Sequence, residues 1–423
     1  MKTLFLFEFK KLLKQKTIWF LVGVTMVAIL VLYGFQIVMS ETTHQQVLDH
    51  YDLLINLNLE IAEQLSIERE EAIQADDEAW IEEVIISEDY THQSYEEWLQ
   101  LKADYKARNF EQILQKQLDS LEFYVDPYNE AVHAIVEQPV SNFTQRATYA
   151  EKQYLLQNQI DPFVQKGIYE VFLPTAYDDF TGTAQEVWTE ITNRYSTKGV
   201  YYLYQLIQNL YLPAVILIGC FIFGNTFSSE LQKKTRKIRF HQVQPFKQEQ
   251  LFIAKFSAGY LVLFLYVIVM IALPLIVATV VDHFGSLDYP VLVYDGYTTN
   301  RMIDNENLDT FHFITLNNYL SKAFFLAFTS SLLIYGLYYF FSRWSREPIL
   351  TTLLTGVTCY LGLLISSPYN PFQYLKIDLV ITNEIQLQTW NTGFNFTTGI
   401  LLTFIVGLLF VLANYKLFKR RFN

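Results

Sequence analysis

Six long runs of apolar residues constrain this 423-residue chain more than any other feature of its sequence. A helix needs about 20 apolar residues to cross the hydrocarbon core of a bilayer, and a spanning segment must satisfy its own backbone hydrogen bonds. The alternation typical of transmembrane β-strands is missing from these runs. We therefore predict an all-α integral membrane protein with six transmembrane helices, at residues 18–39, 202–227, 252–281, 320–341, 349–366 and 396–415.

The distribution of Lys and Arg predicts how the spans are oriented. Four segments, 1–17, 228–255, 342–348 and 416–423, hold 18 cations and four acids, whereas the rest of the chain holds 13 cations and 39 acids. Cytoplasmic loops carry the excess of Lys and Arg. We expect a multi-pass protein of the plasma membrane with both termini in the cytoplasm.

A large acidic insert separates the first two predicted spans. Residues 41–198 contain 31 acids and ten cations, and neither Gly nor Pro occurs between Phe35 and Asp126. Apolar residues recur there at three- and four-residue steps, which predicts long amphipathic helices. We expect a mostly helical extracellular domain, followed by the transmembrane domain at 202–423.

The first 17 residues predict a short amphipathic helix. Its lysines lie largely opposite the apolar side, so it suits the inner membrane surface, with the apolar face in lipid and the lysines towards anionic headgroups. A simple cationic flank for the first span is the alternative. The apolar side holds Leu4, Phe5, Phe9, Leu12 and Leu13.

Motifs for catalysis are missing from the sequence. It has no GxxxxGK[ST] phosphate loop, HExxH or GxSxG motif. Cys220 and Cys359 both fall inside predicted spans, which disfavours a disulfide or a zinc site. We expect neither enzymatic activity nor a cofactor in this chain, and no nucleic-acid binding, because anionic lipid accounts for its basic loops.

The loop 228–255 joins the second and third spans and carries the most informative residues. Glu230 lies about one turn beyond the second apolar run, and Pro245 suits the first turn of a new helix. A short helix held between two spans is a segment on which a cytoplasmic partner could act.

This arrangement resembles the permease subunits of the type-2 ABC exporter family. That family has an amphipathic N-terminal helix, a first span and a pattern close to E…(G/K)T…P-x-(S/T/K)-x-x-x-(L/I)…K between spans two and three. Lys234 stands where Gly is usual. The matching positions are Glu230, Thr235, Pro245, Lys247, Leu251 and Lys255.

The resemblance implies a division of labour between chains. Residues 246–256, with Phe246 and Lys247 at their start, would include a coupling helix that docks on a dimer of separate ATP-binding subunits, which hold ATP and Mg²⁺. Glu230 would mark an extension that also contacts them, and the N-terminal helix would pack beside it. Two permease chains, identical or related, would form the pathway.

Spans two and five line that pathway in the family, and each carries a polar stripe here. Such stripes face a cavity or a neighbouring helix; we keep both interpretations open. The stripes are Gln205, Gln208 and Asn209, and Thr351, Thr355 and Thr358.

The sequence thus predicts the permease of an ATP-driven exporter for a peptide or lipid-like molecule. Two alternatives remain. One is a non-transporting membrane receptor whose external domain binds a ligand, and the other is an ion-exporting permease.

Overall fold

The computed structural model describes residues 2–125, 140–168, 171–178, 180–230, 247–295, 310–345 and 347–422, and is mostly helical. In chain order, the described helices begin with α1 (Lys2–Leu13), α2 (Lys16–Gln74), α3 (Glu78–Ala107), α4 (Glu111–Val125), α5 (Asn142–Gln157) and α6 (Thr183–Thr192). Those that follow are α7 (Gly199–Gln208), α8 (Tyr211–Glu230), α9 (Gln248–Val281), α10 (Leu316–Ser345), α11 (Pro348–Leu364), a 3₁₀ turn (Gln373–Leu375), α12 (Ile377–Ile381), α13 (Glu384–Thr389) and α14 (Phe396–Phe422).

Four short strands in the described part of the chain correct the all-α prediction. The antiparallel pair β1 (Val164–Gln165) and β2 (Arg194–Tyr195) is very short, whereas β3 (Pro290–Tyr294) and β4 (Phe311–Thr315) pair over five residues each. β-Branched and aromatic residues dominate the longer pair, and its proline is the first residue of a strand, where no ladder hydrogen bond is lost.

Among the described residues, four helices are long and apolar enough to cross a membrane: α2, α9, α10 and α14. They contain the predicted spans one, three, four and six. The predicted fifth span forms α11, which has only 17 residues. The predicted second span is divided between α7 and α8, which meet at an angle of 79°. Leu210 in the break has a φ of 56°, in the left-handed region that ends a helix.

The described residues form two compact units. One unit holds the chain up to Phe35 and from Thr197 onward, and the other holds Gln36–Ser196. The second unit corresponds to the predicted insert, 41–198. Helix α2 contributes to both units as one helix of 59 residues, because no Gly or Pro interrupts it after Gly34.

Helix α10 lies at the centre of the first unit. Of the 18 residues in its most apolar stretch, 72% are buried by protein, against 22% in the corresponding stretch of α2 and 17% in that of α14. A Cβ on Gly336 would meet Phe410 Cβ at 2.9 Å, and one on Gly407 would meet Leu333 N at 3.1 Å. These two glycines thus allow α10 and α14 to approach closely. Helices in lipid commonly pack through small residues in this way, because the hydrophobic effect does not drive their association there.

The core of the second unit joins α2, α3 and α4. Buried Tyr51, Trp98 and Tyr105 pack together, with ring centroids 6.2 Å and 5.9 Å from that of Tyr51. A buried polar network lies beside α5, where Arg194 donates two 2.7 Å hydrogen bonds to Glu151. Both residues are largely enclosed, so the fork geometry compensates for the lost hydration.

Candidate functional site

The first turns of α9 are the part of the predicted loop-and-helix segment that the structure describes. The helix begins after Lys247, whose side chain is exposed. Leu251, Phe252, Lys255 and Phe256 are all buried, so they form a stripe at three- and four-residue steps. Three other helices cover this stripe, and together they define the candidate site.

Helix α1 covers one side of the stripe through a buried ion pair. Glu8 Oε1 lies 3.0 Å from Lys255 Nζ, and the two side chains are only 5% and 8% exposed. Lys11 Nζ donates to the other carboxylate oxygen at 3.3 Å. A charge that is buried this deeply requires its partner, so the pair fixes where α1 sits on α9.

Aromatic rings cover the other sides. The ring of Phe252 lies 5.5 Å from that of Phe418 on α14. The ring of Phe256 lies 5.0 Å from Tyr335 and 5.1 Å from Tyr339, both on α10. Packed aromatic rings resist sliding past one another, because the protein interior around them is densely packed. The first turns of α9 are therefore held by α1, α10 and α14 together.

Polar contacts connect α10 to α14 at the same end of the unit. Arg343 Nη2 donates to Asn414 O at 2.6 Å, and Asn414 Nδ2 donates to Gly336 O at 2.8 Å. At the surface, Lys419 lies 3.4 Å from Glu249. A displacement of the first turns of α9 would therefore be transmitted to α10 and α14 through direct contacts.

The six motif positions and Phe246 have different surroundings. Leu251 and Lys255 are buried, and Lys247 is exposed. Glu230 is the last residue of α8, and nothing is described of its side chain. Thr235, Pro245 and Phe246 lie outside the described residues.

Helix α1 differs from its predicted placement in one respect. Leu4 and Leu12, expected to face lipid, are buried with Glu8 on the side that packs against α9. Phe7 is 59% exposed instead. The leucines are buried because they share a helix face with Glu8, and that face points inward when Glu8 is buried against Lys255.

The two predicted polar stripes do not form one lining. Gln205 is half-buried on α7, with Gln208 and Asn209 exposed at the bend, and Asn209 Nδ2 donates to Gln205 O at 2.9 Å. They precede the bend, whereas it is α8 that packs against α11.

The threonines of α11 are occupied within their own helix. Thr351 and Thr355 are fully buried, and Thr358 is half-buried. Their hydroxyls donate to the backbone oxygens of Glu347, Thr351 and Leu354 at 2.7–2.8 Å. This arrangement favours the helix-packing interpretation of the stripe.

Two enclosed carboxylates lie in the segment between α11 and α14. Tyr319 donates to Asp378 Oδ1 at 2.7 Å, and the Tyr319 ring meets that of Tyr204 edge-on at 4.9 Å. Burial raises the pKa of Asp378 to about 6, and burial together with the neighbouring Asp378 charge raises the pKa of Glu384 to about 7. Asp378 thus ties α12, in the middle of this segment, to the first turn of α10.

Glu8 is the residue that sequence reasoning overlooked at the candidate site. It is the only acid among the first 17 residues, and it falls on the same face as Leu4 and Leu12. An isolated acid on an apolar face is the available signal for a buried partner. Its partner Lys255 was identified, but from a motif and not from this pairing.

The structure defines a mostly helical protein whose long apolar helices are compatible with a membrane location. Comparisons with protein-family models, with curated protein sequences and with solved structures find no match.

Proposed function

We propose that this chain is the transmembrane permease subunit of an ATP-driven ABC exporter, with ATP and Mg²⁺ bound by a separate subunit dimer. The observation that carries the proposal is the anchoring of the α9 start, where Lys255 forms a buried ion pair with Glu8. The sequence pattern around Lys247, Leu251 and Lys255 is the second support.

A transporter driven from outside its own chain needs a segment that accepts force and passes it to the spans. Rigid elements with direct contacts transmit displacement, whereas loose loops absorb it. Phe252 and Phe256 connect the α9 start to α14 and α10, and α10 is the most enclosed of the long apolar helices. A partner that docks beside Lys247 would thereby move the centre of the bundle.

The proposal includes the membrane arrangement. The bent α7–α8 pair and the short α11 complete six spans, with both termini cytoplasmic and Gln36–Ser196 extracellular. A bent span remains stable in a membrane when its freed backbone groups are satisfied by protein, and at this bend Asn209 Nδ2 donates to Gln205 O. Two such chains, identical or related, would line the pathway.

The docking surface can be tested at exposed Lys247 and half-buried Gln250. Leu251 is unsuitable because it is buried, and changing it would disturb the α1 packing. Lys247→Glu combined with Gln250→Glu places two acids on the accessible start of α9. Lys106→Glu, on exposed α3, is the charge-change control.

We expect affinity-tagged Lys247→Glu/Gln250→Glu to lose its ATP-binding partner in a pull-down from native membranes. The Lys106→Glu chain should retain the partner, and thermal unfolding should be unchanged in both. Equal recovery of the partner by all three chains would overturn the coupling role of the α9 start.

A further inference from the structure

The Gln36–Ser196 unit contains a helical hairpin of α2 and α3, whose tip is the turn between Gln74 and Glu78. Helix α2 ends at Gln74 and α3 begins at Glu78, with Asp77 capping the Trp80 backbone N–H. Ala72 and Val84 are buried between the helices, and Arg69 Nη1 pairs with Glu88 at 3.2 Å. The tip therefore presents fixed side chains.

One face of α3 at this tip carries large apolar groups in the open. Ile86 is 65% exposed and Tyr90 is 72% exposed, and they stand one helical turn apart. A shallow open groove of about 320 Å³ lies along the same face, lined by Ala79, Glu82, Glu83, Ile86 and Ser87. The described residues leave this face uncovered.

The charge around this face identifies what would cover it. Residues 60–97 contain fourteen acids and a single Lys or Arg, Arg69, which is already paired with Glu88. Glu82 and Glu83 are exposed at the groove. A second copy of the hairpin would bring like charges together, which is unfavourable. A cationic partner would gain from the same field in its approach and in its contacts.

We propose that the α3 face around Ile86 and Tyr90 binds a cationic amphipathic peptide as a helix. Apolar anchors of the peptide, at three- and four-residue steps, would cover Ile86 and Tyr90, as helices do when they lie in a groove. Its Lys and Arg side chains would pair with Glu82 and Glu83. The site does not depend on the proposed transport function, because its residues all belong to Gln36–Ser196.

The experiment uses the full-length chain in neutral detergent. The probe is a fluorescein-labelled 18-residue helix of Leu and Lys, and its counterpart replaces every Lys with Glu. We expect fluorescence anisotropy to show saturable binding of the Lys peptide only, weakening as salt rises because exposed charges become screened. Ile86→Ser/Tyr90→Ser should weaken binding about tenfold or more, since both apolar anchors are lost.

Matched controls separate this face from the general charge of the unit. Leu53 and Leu57 on α2 are also one turn apart, and they are 64% and 47% exposed. Leu53→Ser/Leu57→Ser should leave the affinity within about twofold, because these residues lie outside the proposed face. Glu60→Gln/Glu63→Gln has the same net charge change as Glu82→Gln/Glu83→Gln, and only the latter should weaken binding clearly.

Three outcomes would overturn the proposal. Binding of the Glu peptide as tight as that of the Lys peptide would exclude charge recognition. Equal losses in the two serine variants would exclude a localised face. Dimerisation in analytical ultracentrifugation that only Ile86→Ser/Tyr90→Ser abolishes would show that a second copy covers the face instead.

Discussion

Removing Glu8 should release helix α1 from α9 and leave two ammonium groups without their shared carboxylate. At 3.0 Å the attraction between Glu8 and Lys255 has a gross value of about 5–6 kcal/mol at an effective dielectric constant near 20, and desolvation offsets much of it. Breaking a buried pair from one side typically costs about 3–5 kcal/mol, because the remaining charge stays buried. We expect Glu8→Gln to cost about this much.

The reverse change should be milder. Lys255→Met leaves an apolar side chain in an apolar stripe, and Glu8 keeps Lys11 at 3.3 Å. The double variant Glu8→Gln/Lys255→Met removes both charges of the buried pair, so neither is left buried without its partner. The double variant should therefore be more stable than Glu8→Gln alone, with an interaction energy of about 2 kcal/mol, within the range of contacting pairs.

Hydrogen exchange of the backbone amides in Lys2–Leu13 is the assay, because it reports local opening of α1 separately from unfolding of the whole chain. Glu249→Gln/Lys419→Met is the matched control, since that pair lies at the surface with both side chains about half exposed; its cycle should show no measurable coupling. If α1 exchanged at the wild-type rate in Glu8→Gln, or if the double variant opened more than the single, the buried-pair argument would be refuted.

Two further predictions concern packing and pH. Gly224→Ala should destabilise the bundle, because the added Cβ would lie 2.3 Å from the Tyr338 ring. The added Cβ of Gly23→Ala meets nothing within 4 Å, so this variant should stabilise α2 by up to about 1 kcal/mol through helix propensity. Thermal unfolding that ranked the two variants in the opposite order would contradict the close approach of α8 and α10. In the Gln36–Ser196 unit, burial lowers the pKa of Lys152 to about 7, while Glu151 opposes and Arg194 reinforces the shift. The unfolded chain binds more protons between pH 7 and its ordinary lysine pKa near 10, so stability should rise with pH through that window and be flat below it for this group. Lys152→Met should remove this slope in denaturant titrations, and an unchanged slope would show that Lys152 is not its source.

The sequence predicts the long helices better than their interruptions. Runs of apolar residues locate α9, α10 and α14 because length and hydropathy alone decide whether a helix suits a bilayer. The 79° bend at Leu210 was not predicted, because the apolar run continues through it; Pro213, three residues beyond Leu210, is the local signal that was overlooked. The β3–β4 pair was missed because its strands are separated by a long polar segment, and pairing depends on contacts distant in sequence.

The candidate site was only partly predictable. The motif identified Lys255, but its partner Glu8 lies on a helix almost 250 residues away, and nothing in the local pattern of either helix specifies the pairing. The threonines of α11 show the reverse problem, since a polar stripe looks the same in sequence whether it lines a cavity or bonds to its own helix. Tertiary packing decides between these cases.

Affinity purification of the tagged chain from its native membrane, followed by mass spectrometry and an ATPase assay, tests the central claim most directly. The account predicts a copurifying ATP-binding protein of roughly 25–35 kDa, the size of a typical nucleotide-binding domain with extensions. ATP hydrolysis by that protein should depend on this chain and fall in Lys247→Glu/Gln250→Glu. A chain purified with no ATP-binding partner, or a partner whose ATPase activity is indifferent to this chain, would contradict the proposed function.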